Sequence, residues 1–139
     1  MKKQIWWGAA AVVGLGVGGW ALLPQEKEPA QVADALVDIS LPASLTTSAQ
    51  VGKTMFEAKC AACHGINAVG RNGAAPPLVH KIYEPSHHGN ESFQRAVAMG
   101  VKSHHWRFGN MRPIEGLTRG DVTQIVAYIR ELQRANGIN

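Results

Sequence analysis

Cys60-Ala61-Ala62-Cys63-His64 puts two thiols and an imidazole into one short run. Cysteines three apart share one face of a helical turn, and the next residue presents its ring beside them. Three chemistries use such a string: a redox dithiol, half of a zinc site, or haem held by two thioethers with the imidazole on iron. A redox dithiol calls for a surrounding βαβ pattern, which this sequence lacks. A structural zinc site calls for a second pair at matching spacing, and His87-His88 and His104-His105 do not have it. Attachment of one haem is the chemistry the string fits, the thiols adding to the vinyl groups while His64 ligates iron. With only 2 cysteines in the chain, a disulfide framework is excluded.

A six-coordinate iron needs a second ligand, and the chain has 4 methionines. Met1 lies in the leader, Met55 precedes the cysteine string on what reads as a core helix, and Met99 shares a helix face with Phe93, Ala96 and Val97 and is expected in the core. Met111 sits in a loop between Phe108-Gly109-Asn110 and Arg112-Pro113 and is the expected distal ligand. His104 and His105, a few residues earlier, are alternatives that would lower the potential, and an open site is a third. His80, His87 and His88 read as solvated loop residues, although the two His-His pairs raise the idea of a secondary copper or zinc site. Arg71, Arg107 and Trp106 are candidate donors to haem propionates.

These residues need helices to position them. Thr118 with Asp121 makes a capping-box start, and Val122, Ile125, Val126, Ile129 and Leu132 recur at helical spacing. Val51, Met55 and Phe56 form a comparable stripe before the cysteines. Ser92 to Met99 reads as a short amphipathic helix ended by Gly100. The expected fold is all-α. Once the first residues are set aside, the 139-residue chain has room for one small domain, which is short of apolar burial and gains from a bound cofactor.

Residues 48–139 resemble a class I cytochrome c domain. Gly52-Lys53-Thr54-Met55-Phe56-Glu57-Ala58-Lys59, running into Cys60-Ala61-Ala62-Cys63-His64-Gly65, is similar to the family's first helix and haem motif, and Ala75-Pro76-Pro77-Leu78 to its G-P-x-L loop, with Ala75 where glycine is common. The resemblance implies a small helical domain around one covalently attached haem c. It implies that the Pro76 carbonyl accepts a hydrogen bond from His64, orienting the ring. It implies crossed first and last helices that bring Gly52 and Phe56 near Tyr128. The family often has M-P at the distal ligand; here the order is Met111-Arg112-Pro113, with Arg112 inserted.

The chain divides into residues 1–23, 24–47 and 48–139. Ile5 to Leu23 is free of charge and about 28 Å long if helical, against a hydrocarbon core of about 30 Å. Lys2 and Lys3 before it place the rest of the chain on the extracytoplasmic side. An uncleaved membrane anchor fits better than a cleaved signal peptide, because the small-x-small sites at Gly19-Trp20-Ala21 and Ala33-Asp34-Ala35 fall inside the apolar run and well beyond it. A cleaved leader would leave a soluble periplasmic protein. Gly14-Leu15-Gly16-Val17-Gly18-Gly19 matches G-x-G-x-x-G, but Pro24 follows too soon for a dinucleotide-binding helix, so these are glycines of a membrane helix. Residues 24–47, with Pro24, Pro29 and Pro42 and a surplus of acidic side chains, read as a tether.

Residues 48–139 carry 11 Lys and Arg against 6 Asp and Glu. Two propionates would still leave a net charge of about +3, suited to redox partners with an acidic docking face. The basic residues are scattered singly, with no aromatic platform, which argues against nucleic acid. The expected function is one-electron transfer, not turnover. The rivals are a small haem peroxidase with an open or His-ligated distal site, and a haem-free module in which Cys60, Cys63 and His64 capture a metal for delivery.

Overall fold

The computed structural model describes residues 34–139. Its helices are α1 (Thr47–Lys59), α2 (Ala61–His64), α3 (Asn90–Met99) and α4 (Arg119–Ala135), with single 3-10 turns at Ile66–Ala68 and Lys81–Tyr83. Among the described residues there is no strand; Arg71 pairs with Ala75 and Val101 with Met111 as isolated antiparallel bridges. The expected N-terminal helix and its glycine run lie outside the described residues. Among those described, no helix is long and apolar enough to cross a membrane.

The frame is α1 crossed on α4. Its closest point is Gly52, where a methyl group would stand 1.9 Å from the Gln124 carbonyl oxygen. One turn on, the Phe56 and Tyr128 rings lie 5.8 Å apart at 60°, a tilted aromatic pair. The inward face of α1 is thus Ala49, Gly52 and Phe56. Of the expected stripe, Phe56 is buried and Met55 packs against the core, but Val51 is 43% exposed. The crossing needs a missing side chain at its centre, and a scan for apolar residues does not register that requirement. Gly52→Ala is expected to cost about 3 kcal/mol, the upper range for overpacking, because the obstructing atom is backbone. Thermal unfolding of the haem-loaded chain checks this: Tm should fall by roughly 10 °C or more, and an unchanged Tm would contradict the crossing.

Helix α4 forms where its sequence pattern places it. Thr118 Oγ1 accepts from Asp121 N–H while the Asp121 carboxylate accepts from Thr118 N–H, closing the capping box. Val122, Ile125, Val126, Ile129 and Leu132 are all buried. Helix α1 has its own cap, Thr46, whose hydroxyl accepts from Ala49 N–H and donates to Glu131 of α4 at 2.6 Å. Helix α3 ends at Gly100, whose positive φ of 76° suits glycine. Its innermost residue is Gln94, which donates to the Arg119 carbonyl and Thr123 Oγ1. Met99, expected in the core, is instead 67% exposed. It lies five positions beyond Gln94, about 140° around the helix at 3.6 residues per turn.

Residues 34–46, within the stretch expected to be a tether, lie along the domain. Leu36 N–H donates to the Val69 carbonyl, and the Asp34 carbonyl accepts from Asn72 N–H. The Asn136 side chain bonds both N–H and C=O of Ser40, and Ile39 and Leu45 pack on the core. These bonds hold the stretch against the domain in an extended wrap.

Candidate haem-binding site

Cys60 is the junction between α1 and α2, with a non-helical backbone at φ −120° and ψ −33°. Its carbonyl accepts from both Cys63 and His64 N–H, so a single new turn of helix presents Cys63 and His64 directly after Cys60. The two sulfurs are not joined; Cys63 is exposed and Cys60 half-buried. Burial, with the Cys63 thiol beside it, pushes the Cys60 thiol up to about 11. A redox dithiol needs the opposite, a thiol lowered toward neutrality. The raised Cys60 thiol does not fit that dithiol chemistry.

His64 is held by a proline carbonyl. Its Nδ1 lies 2.9 Å from Pro76 O; a carbonyl only accepts, so Nδ1 carries the proton and Nε2 keeps the lone pair a metal needs. Burial lowers the ring's pKa, and the Pro76 bond acts against it. The loop that brings Pro76 back is locally strained: Asn67 and Ala68 both have positive φ, near 60°. Tyr128 holds that turn by donating from its hydroxyl to Asn67 Oδ1 at 2.9 Å, and Ala68 O accepts from Leu78 N–H at 2.8 Å. The aromatic partner of Phe56 thus also sets the path from His64 to Pro76.

Helix α4 adds two polar anchors absent from the sequence reading. Arg130 donates to the carbonyls of Tyr83 and His88 and to Asn90 Oδ1, and Gln133 donates to Leu78 O and Tyr83 O. Both side chains are buried. Their signal was present: Arg130 and Gln133 follow Val126 and Ile129 at helical spacing, so polar residues stand on a face otherwise facing inward.

Met111 is fixed through its backbone. Its N–H and C=O pair with C=O and N–H of Val101, both at 2.9 Å. Gly100 packs so closely that a methyl group there would stand 2.4 Å from Met111 O. Residues 102–110 form an excursion closed by that pair, and His104 and His105 stand on it, away from the closure, ring against ring with His88. His87 joins them: His87 and His105 Nε2 are 3.4 Å apart. His87 and His88, expected as solvated loop residues, therefore converge with His104 and His105. Their mutual proximity and local burial lower the pKa of His88 and His105, burial being the larger cause in each. His80 instead caps the turn at Lys81–Tyr83 and meets the edge of Trp106.

Among the described residues, two buried donors have no acceptor, Arg71 Nε and Trp106 Nε1. Burial raises the pKa of the nearby Tyr83 phenol, and Trp106 acts against it. Buried donors ordinarily find partners, and the propionates of a haem are acceptors of the kind these two lack. Arg107, the third expected donor, is exposed. The protonated Nδ1 of His64, the cysteine pair and the two unmatched donors fit a haem.

The family model for cytochrome c matches residues 49–133, more than half of the chain. The chain belongs to the cytochrome c family. A subunit of a different protein, the Cbb3-type cytochrome c oxidase subunit CcoP of Azospirillum brasilense, is 41% identical over 54 residues, which cover 35% of this chain and 18% of that subunit. The chain thus matches less than a fifth of its curated relative's length. Membership of the cytochrome c family brings with it covalently bound haem c, for which Cys60 and Cys63 supply the C-x-x-C-H motif, and a role in electron transfer.

Proposed function

We propose that this cytochrome c is a monohaem electron carrier in which Cys60 and Cys63 hold the haem, His64 ligates iron on one side and Met111 on the other. The observation that carries the reading is the His64 Nδ1 bond to Pro76 O, which turns a sequence motif into an imidazole of fixed tautomer and orientation. The Val101–Met111 pair supports the distal ligand, since it anchors Met111 through its backbone N–H and C=O alone. The engagement of His104 and His105 with His87 and His88 counts against either as the iron ligand. Arg71 Nε and Trp106 Nε1 serve the propionates.

When bound, the haem supplies a one-electron Fe(II)/Fe(III) couple. The chain's part would be to hold His64 and Met111 in place so that little rearranges as the electron passes, and to present the net positive charge of residues 48–139 to a partner. In this reading residues 1–23 anchor the chain in the membrane, Lys2 and Lys3 keep the N-terminus inside, and the domain works on the extracytoplasmic face. The stretch that follows links anchor to domain, with residues 34–46 already lying on it. The related CcoP is named as a subunit of an oxidase; for this chain we propose donors and acceptors that dock through an acidic face.

Stopped-flow electron exchange with an acidic redox protein tests this. The second-order rate is expected to fall about tenfold or more from low to high salt as opposite charges are screened. A rate indifferent to salt, or steady turnover of peroxide by the same sample, would instead support the peroxidase reading.

A further inference from the structure

The two His-His pairs flank α3 in sequence, one in the loop before it and one in the excursion after it. Folding brings them together. One ring nitrogen each from His87, His88 and His105 lie within 4.8 Å of one another. His87 and His105 meet through Nε2 atoms 3.4 Å apart; a tetrahedral ion with metal–nitrogen bonds of about 2.0–2.1 Å has ligand–ligand edges of about 3.3–3.4 Å. His104 stands beside the group, its ring 4.2 Å from that of His105 and 6.1 Å from that of His88.

The outer hydrogen bonds are those of metal ligands. His88 Nδ1 lies 2.6 Å from the Ile82 carbonyl and His104 Nδ1 2.9 Å from the Lys102 carbonyl. Each Nδ1 must therefore donate, which leaves each Nε2 unprotonated, the pattern that orients histidine toward a metal. The backbone of His88 is held in turn by Arg130. Solvated loop histidines have no reason to gather from two segments 18 residues apart. An all-imidazole donor set excludes calcium and magnesium, which take oxygen, and suits zinc and copper. Three of the four rings are exposed, so an ion can enter without unfolding the chain.

We propose that His87, His88 and His105, with His104 beside them, bind one zinc(II) or copper(II) ion on the surface of this protein. The ion ties the loop before α3 to the excursion that closes at Met111. None of these four histidines belongs to the proposed haem site, so this inference stands or falls independently of the haem ligation.

The test is calorimetric titration of the full haem-loaded chain with zinc chloride and, separately, with copper supplied as its glycine complex. One equivalent is expected to bind, with affinity reduced at least tenfold in His105→Gln and, independently, in His88→Gln, each shown to be folded by an unchanged haem spectrum. Electron paramagnetic resonance of a copper-loaded sample should show three or four nitrogen donors. Uptake of one ion in preference to the other names the metal. No saturable equivalent of either ion, or binding that survives both substitutions, overturns the proposal.

Discussion

Replacing both Cys60 and Cys63 by alanine is expected to abolish covalently held haem completely. In the structure Cys60 joins α1 to α2 and Cys63 stands on the one-turn helix that also carries His64, so no other thiol is available to form a thioether. His64 and its Pro76 bond would remain, and a haem held by axial ligation alone is extracted once the chain unfolds. The domain itself should suffer, because a chain of this size buries little apolar surface and a bound cofactor adds its binding free energy to folding. Acid extraction followed by intact-mass measurement reads the result directly. Wild type should keep one haem, each single substitution should retain a weakened attachment, and the double variant should keep none; haem that stays on the double variant through denaturation would contradict the assignment.

Met111→Ala carries the second large effect. The backbone N–H and C=O of Met111 are both spent on Val101, so shortening the side chain leaves the loop closed and the variant folded. What changes is the iron: loss of the thioether ligand should lower the reduction potential by on the order of 0.1 V or more, within the roughly 0.8 V that axial ligation commands. An opened distal side should also let peroxide reach the iron. Potentiometric titration checks the first effect. If His104 or His105 were the ligand, the potential would hardly move, and His104→Ala or His105→Ala would shift it instead.

How much of this was legible in the sequence depends on whether the cause was local. The Thr118–Asp121 box and the apolar stripe of α4 are short-range patterns, and both appear in the structure. The Pro76 contact to His64 spans 12 residues and was reached only through family resemblance. Gly52 and Phe56 were expected near Tyr128 on the same ground; Phe56 pairs with Tyr128 while Gly52 meets Gln124, and of the apolar stripe Val51 alone falls off the inward face, which is set at Gly52 by a close approach that leaves no hydrophobic residue to count. Met99 misled for a related reason: its neighbours Phe93 and Val97 suggested an apolar face, but the inward side of α3 is set by Gln94 and its bonds to α4. The wrap of residues 34–46 rests on backbone hydrogen bonds to Val69, Asn72 and Asn136, which leave no periodicity behind. The histidine cluster needed the fold itself, since only the path of the chain around α3 brings its halves together.

His/Met ligation of haem c is read most directly from the near-infrared absorption of the oxidised wild-type chain. The weak sulfur-to-iron charge-transfer band is expected in wild type and absent from Met111→Ala. Covalently bound haem with no such band in wild type would contradict it.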